Sequence, residues 1–220
     1  MNECRHRWNR YWTVGSLAVI LAAAAAAMAI GRFTISPREL AAVLMPGAFP
    51  GEEVSGQVRT VISNIRLPRV LLALLSGAGL AAAGAAFQGL FANPLATPDT
   101  LGAANGASFG AVLGILLGLP AFGIQLLAMI LGIVAVLMAW GVGRVKGTMP
   151  PLMVILAGMV VSSLFSALVS LVKYAADPQD VLPAISYWLM GSMASTTRAT
   201  LVMGAPFIII GSILLFLLRW

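Results

Sequence analysis

The side chains able to do chemistry in this 220-residue sequence are few and far apart. Arg66 and Arg69 flank Pro68 in the run Arg66-Leu67-Pro68-Arg69, and paired guanidinium groups suit a carboxylate or a lipid phosphate. Gln88 is the one strongly polar side chain between Val70 and Ala92, a stretch of 23 residues without a charge. Gly158, Ser162, Ser166 and Ser170 recur every fourth residue, so a helix there carries hydroxyls along one face. Those serines have two readings: bonds to their own i−4 carbonyls or to neighbouring helices, or a polar strip along a solute path. Gly106-Ala107-Ser108-Phe109-Gly110 has the spacing of a hydrolase nucleophile elbow, which needs a strand-to-helix turn and a histidine base. The sole histidine, His6, lies in the N-terminal tail and the five residues sit in a glycine-striped apolar run, so the hydrolase reading is rejected. Cys4 and His6 lack a third ligand for a metal, and a single cysteine cannot form an internal disulfide. With no Walker A sequence, catalytic carboxylate pair or metal cluster, the chain is expected to be no enzyme and to hold no cofactor and no metal.

The elements that must position these residues follow from composition. Sixty per cent of the residues are hydrophobic and 9% charged, with a mean hydropathy of +0.98, whereas soluble domains carry about 25% charge. The fold class is therefore an all-α integral membrane protein. A net charge of +6 in so sparse a charge set makes no nucleic-acid surface, and Lys and Arg beside spans are drawn to anionic membrane lipid.

Six apolar runs are expected to cross the membrane. The first, residues 13–31, follows a tail with Arg5, Arg7 and Arg10 and an aromatic belt of Trp8, Tyr11 and Trp12; its 19 residues exceed a signal-peptide core. Ser36-Pro37-Arg38-Glu39 reads as the N-cap and first turn of a short amphipathic helix, and residues 46–56 as a loop. Pro68 is expected to mark the start of the second span, with residues 58–65 leading helically into it. In that span Ala73, Gly77, Ala81, Ala85 and Gly89 form a small-residue face that another helix can approach closely. Asn93-Pro94 and Thr97-Pro98 end it, and Asp99 or Thr100 is expected to cap the third span, residues 100–119, whose stripe is Gly102, Gly106, Gly110, Gly114 and Gly118. Spans at 121–142, 152–172 and 199–218 complete the set; the apolar residues 184–193 are too short to cross.

From Arg66 to Ser192 the chain resembles a known family. The ordered motifs are Arg66-Leu67-Pro68-Arg69; Gly79, Gly84 and Gln88-Gly89; Asn93-Pro94-Leu95-Ala96; Pro98-Asp99 and Leu101-Gly102; Asn105-Gly106-Ala107; and Trp188-Leu189-Met190-Gly191-Ser192. Together they look like the permease subunits of the binding-protein-dependent ABC importers for iron-siderophore complexes, haem and vitamin B12. The resemblance implies a multi-pass protein of the bacterial cytoplasmic membrane that carries an iron(III)-siderophore, haem or cobalamin-type metal chelate. The implied partners are cytoplasmic ATPase subunits that supply the energy, an extracytoplasmic substrate-binding protein, and a second permease subunit as homodimer or pseudo-dimer. It also implies that the fifth helix, with Ser162, Ser166 and Ser170, contributes to the pathway. Such permeases have about ten spans, and their ATPase-contacting helices follow the sixth. The chain is therefore expected to be one transmembrane permease domain over residues 1–220, truncated after the sixth span and unable to couple to ATP by itself. The alternatives are a truncated, non-transporting fragment, or a small channel or secondary transporter; against the latter, the spans hold no charged residue for an ion relay.

Counting basic residues does not orient the chain: six fall on the tail side (Arg5, Arg7, Arg10, Arg144, Lys146, Arg219) and seven on the other (Arg32, Arg38, Arg59, Arg66, Arg69, Lys173, Arg198). Short loops weigh most, so the tail and the Arg144 to Lys146 link place the tail inside. An outward group of arginines would dock an acidic partner. By the resemblance, Arg66 and Arg69 would meet carboxylates of the binding protein.

Overall fold

The computed structural model describes residues 2–45, 54–94, 96–144 and 150–218, and side chains from residue 11 onward. The tail side chains, the loop at 46–53, Leu95, Lys146 and Arg219-Trp220 lie outside the described residues. Among the described residues there are eight helices and no strand: α1 Asn2–Ala29, α2 Pro37–Leu44, α3 Gly56–Leu90, α4 Ala103–Leu116, α5 Ala121–Val142, α6 Pro151–Ala175, α7 Val181–Met190 and α8 Arg198–Leu217. Five segments are long and apolar enough to cross a membrane: Tyr11–Ala29 of α1, and α3, α5, α6 and α8.

Two expectations about boundaries need correction. Pro68 does not start α3; the helix begins at Gly56 and runs 35 residues with Pro68 inside it. A π-helical segment, Val61–Arg66, makes room, because a wider turn separates the proline ring from the preceding carbonyls. The third expected span is shorter than a bilayer: α4 has 14 residues, about 21 Å at 1.5 Å per residue against a core of about 30 Å. Its front end is diverted into a 3-10 turn, Pro98–Leu101, after which Gly102 adopts φ +79°, a left-handed conformation open to glycine. Gly102 is thus a hinge between turn and helix, and neither Asp99 nor Thr100 caps α4. The rear end closes with a Schellman motif: Gly118 (φ +65°) donates to the Ile115 carbonyl at 3.0 Å and Leu119 to that of Gly114 at 3.0 Å. By contrast α2 follows its sequence signature. Ser36 accepts from the Glu39 N–H at 3.1 Å, and the Glu39 carboxylate accepts from the Ser36 N–H at 2.8 Å.

The chain divides into two units. The first comprises residues 1–76 and 193–206. Its core is Met28 from α1, Ile35, and Val58 and Ile62 from the start of α3, with Leu40 and Val43 of α2 packed against them.

The second unit comprises residues 77–192 and 207–220. Here α4 and α5 pack antiparallel with their backbones nearly touching. A Cβ on Gly106 would stand 2.5 Å from the Ala135 Cβ and 2.6 Å from the Leu131 carbonyl oxygen; one on Gly110 would stand 2.5 Å from the Leu127 oxygen; and one on Gly114 would stand 3.2 Å from the Ile124 Cα. Glycine in a helix interior is about 1 kcal/mol worse than alanine, and that loss is offset by an approach no larger residue permits. Leu101, Ala135, Ala139, Val154, Val161 and Phe165 form one core, where the Phe109 and Phe165 rings lie 5.8 Å apart. Val112, Ala176 and Ile185 form another, which seats the short helix α7.

Candidate functional site

In the first unit the arginines are organised by the π segment. Arg66, its last residue, is buried, with 8% of its surface exposed. One guanidinium nitrogen donates to the carbonyls of Met28 at 2.6 Å and Ala29 at 2.8 Å, and the other to the carbonyl of Phe33. Met28 and Ala29 are in the last turn of α1, where carbonyls lack intrahelical donors and the helix dipole favours a cation. Arg66 therefore completes the end of α1 from 37 residues away in sequence. A Cβ on Gly31 would lie 2.6 Å from an Arg66 guanidinium nitrogen, so a larger residue there would displace the guanidinium. The donors that the sequence reading offered to an external carboxylate are thus held by this chain's own backbone.

Arg69, one turn on, is half-buried and donates to the Ala194 carbonyl, while its Nε is buried with no hydrogen-bond partner. A reciprocal contact comes from Arg198, whose Nε donates to the Ser63 carbonyl at 2.9 Å. That carbonyl is free for a definable reason. In the π register the Leu67 N–H reaches back to Ile62 rather than Ser63, and the next residue, Pro68, has no N–H to give. Two arginines thus tie residues 194–198 to the start of α3, each supplying a donor to a carbonyl of the other segment. The contact at Arg198 was missed from sequence; the signal present was a proline five residues after an otherwise ordinary serine.

In the second unit the Pro98–Leu101 turn lies directly on α6. A Cβ on Gly158 would stand 2.0 Å from the Thr100 carbonyl oxygen, and one on Gly102 would stand 3.1 Å from the Ser162 Oγ. The fold thus brings Gly102, Gly158 and Ser162 together. Ser166 and Ser170 are exposed on α6; Ser170 donates to the Ser166 carbonyl at 3.0 Å, and Ser163 to that of Met159 at 3.0 Å. These are i−4 bonds within the helix. On α3, Gly77, Ala81, Ala85, Gln88 and Gly89 are all exposed, and a Cβ on Gly77 or Gly89 would meet nothing within 4 Å. The stripe expected to be a packing face is therefore bare in this chain. The glycine of α3 that another element does approach is Gly79, where a Cβ would stand 2.8 Å from the Ile208 side chain. No group of three or more His, Cys, Asp or Glu able to hold a metal occurs among the described residues.

Long apolar helices joined by glycine contacts, with a broken short helix between them, define a multi-pass helical membrane protein. The chain belongs to the FecCD transport family, whose profile matches residues 17–220, and its place is the cytoplasmic membrane. It is 36% identical over 204 residues to the molybdate import system permease protein MolB of Haemophilus influenzae, covering 92% of this chain and 60% of that protein. It is 38% identical over 169 residues to a probable iron chelatin transport system permease protein of Helicobacter pylori, covering 77% of this chain and 50% of that one. Among solved structures it is similar to an inward-facing conformation of a metal-chelate type ABC transporter, with a TM-score of 0.74, 34% identity, and coverage of 91% of this chain and 60% of the other. The chain thus spans about half to 60% of the length of these relatives.

Proposed function

We propose that the chain is the membrane-embedded permease portion of an ABC importer that moves a metal chelate or metal oxyanion across the cytoplasmic membrane. An iron(III)-siderophore, haem or cobalamin-type cargo is the class first suggested by its motifs; the molybdate and iron chelatin relatives keep both oxyanion and chelate open. Hydrolysis of ATP is assigned to separate cytoplasmic ATPase subunits, and cargo delivery to an extracytoplasmic binding protein.

The observation that carries this reading is the exposed face of α3. Gly77, Ala81, Ala85, Gln88 and Gly89 give one side of a membrane helix with little side-chain bulk and one amide. Such a face gains little from lipid, because lipid tails are as apolar as any side chain while small residues let a second backbone approach closely. An amide at that depth needs a polar partner or water. A second permease subunit, with the cargo path beside Gln88, supplies both. Ser162, Ser166 and Ser170 are the further path candidates. For docking of the acidic binding protein the candidate is Arg69, with Arg66 beneath it holding the end of α1.

The test is reconstitution of the complete permease with its ATPase and binding protein in liposomes. Uptake of labelled iron-siderophore and of molybdate is measured with and without ATP, for wild type and Gln88→Leu. ATP-dependent uptake of one cargo, lowered by Gln88→Leu without loss of assembly, is expected. Uptake that needs neither ATP nor binding protein would overturn the importer reading.

A further inference from the structure

A cleft of about 550 Å³ opens in the first unit between the end of α1 and the start of α3. Its walls are apolar, with Ile30, Phe33, Ile65 and Val70 among them, and Arg32, Arg66 and Arg69 also line it. Among the described residues no acidic side chain lines it, and no ion pair neutralises any of the three arginines. The carbonyl contacts of Arg66 engage three of the five N–H donors a guanidinium has, and none of the described residues compensates its positive charge in a buried place, where a lone charge is costly. Arg69 brings a buried Nε with no partner, and Arg32 an exposed guanidinium at the rim. Among the described residues no anion faces the site, and its apolar walls suit an anion attached to hydrocarbon. It also sits where a membrane-crossing helix, Tyr11–Ala29, ends, at the depth of lipid head groups.

We propose that this cleft is a binding site for an anionic phospholipid. The phosphodiester lies against Arg32 and Arg69 over the buried charge of Arg66, and an acyl chain lies along Ile30, Ile65 and Val70. Phosphatidylglycerol fits this chemistry better than phosphatidylcholine, whose choline would add a cation to a cluster that is already positive. The proposal stands on the cleft and is independent of the transport reading. It competes with protein docking for Arg69, and the experiment separates the two.

The purified 220-residue chain is exchanged into detergent containing equal phosphatidylglycerol and phosphatidylcholine, and retained lipid is counted by native mass spectrometry. Preferential retention of phosphatidylglycerol is expected. Arg32→Gln and Arg69→Gln should each weaken it roughly fivefold, the factor for losing one basic side chain near an anionic head group, and Arg32→Lys should restore most of the loss. Arg32 is exposed, so its variants should keep the wild-type melting temperature in phosphatidylcholine alone, which separates lost binding from lost folding. Equal retention of the two lipids by wild type, or unchanged preference in Arg32→Gln, would overturn the proposal. Displacement of the lipid by millimolar inorganic phosphate would also overturn it by reducing the site to one for a free anion. So would an acidic binding protein that binds through Arg69 while the chain shows no lipid preference.

Discussion

Replacing Gly158 by alanine tests whether the Pro98–Leu101 turn is seated on α6 by close backbone contact. The new Cβ would stand 2.0 Å from the Thr100 carbonyl oxygen and 2.8 Å from the Leu101 Cα. Both are backbone atoms, which cannot swing aside as a side-chain tip would. Since Cβ atoms do not approach closer than 3.0 Å, the turn must retreat by about 1 Å, the difference between 3.0 and 2.0. Leu101, only 6% exposed, would be drawn from the cluster it shares with Ala135, Val154, Val161 and Phe165. Overpacking of this kind costs about 1–3 kcal/mol. Gly211 is the control: it lies in the interior of α8, and a Cβ there meets nothing within 4 Å. Gly158 and Gly211 both lie in helix interiors, so each alanine gains the same helix propensity, about 0.5–1 kcal/mol, and the two variants should differ by the overpacking cost alone, about 1–3 kcal/mol. The assay is unfolding by sodium dodecyl sulfate in mixed micelles, followed by tryptophan fluorescence. If Gly158→Ala is as stable as Gly211→Ala, the turn is not held as described.

Arg66→Met should remove the donors that complete the end of α1, costing about 2–5 kcal/mol from several unsatisfied carbonyls; hydrogen exchange at Ile30 to Thr34 should rise, and unchanged protection there would count against the assignment. Pro68→Ala restores an N–H near the Ser63 carbonyl, so Arg198→Ala should destabilise the Pro68→Ala background less than the wild type. A double-mutant cycle should give a coupling of about 1 kcal/mol, and a zero coupling would deny the link. Lys146→Cys should react with membrane-impermeant reagents only in inverted vesicles if the Arg144 to Lys146 link is cytoplasmic; labelling from outside intact cells would reverse the topology.

The membrane class and most helices were legible in the sequence because both depend on local facts. Charge-free runs such as residues 70–92 and 121–142 satisfy their backbone groups only as helices in lipid, whatever lies beside them. Ser36 and Glu39 announced α2 for the same reason: a capping box is made within four residues. The stripe of Gly106, Gly110 and Gly114 showed that a face was small, and the ordered motifs from Arg66 to Ser192 pointed to the family.

Only tertiary structure decided what the small faces meet and where the arginines point. The face with Gly106 and Gly110 is filled by Leu127, Leu131 and Ala135 of α5, whereas that with Gly77 and Gly89 is left bare, although the spacing is the same in both. Arg66 and Arg69 looked equivalent as flanks of Pro68, yet one closes a helix end 37 residues back and the other reaches Ala194 across 125 residues. A guanidinium's role is set by which carbonyls lack a donor, and that depends on where distant helices stop and on a π register that a proline permits but does not dictate.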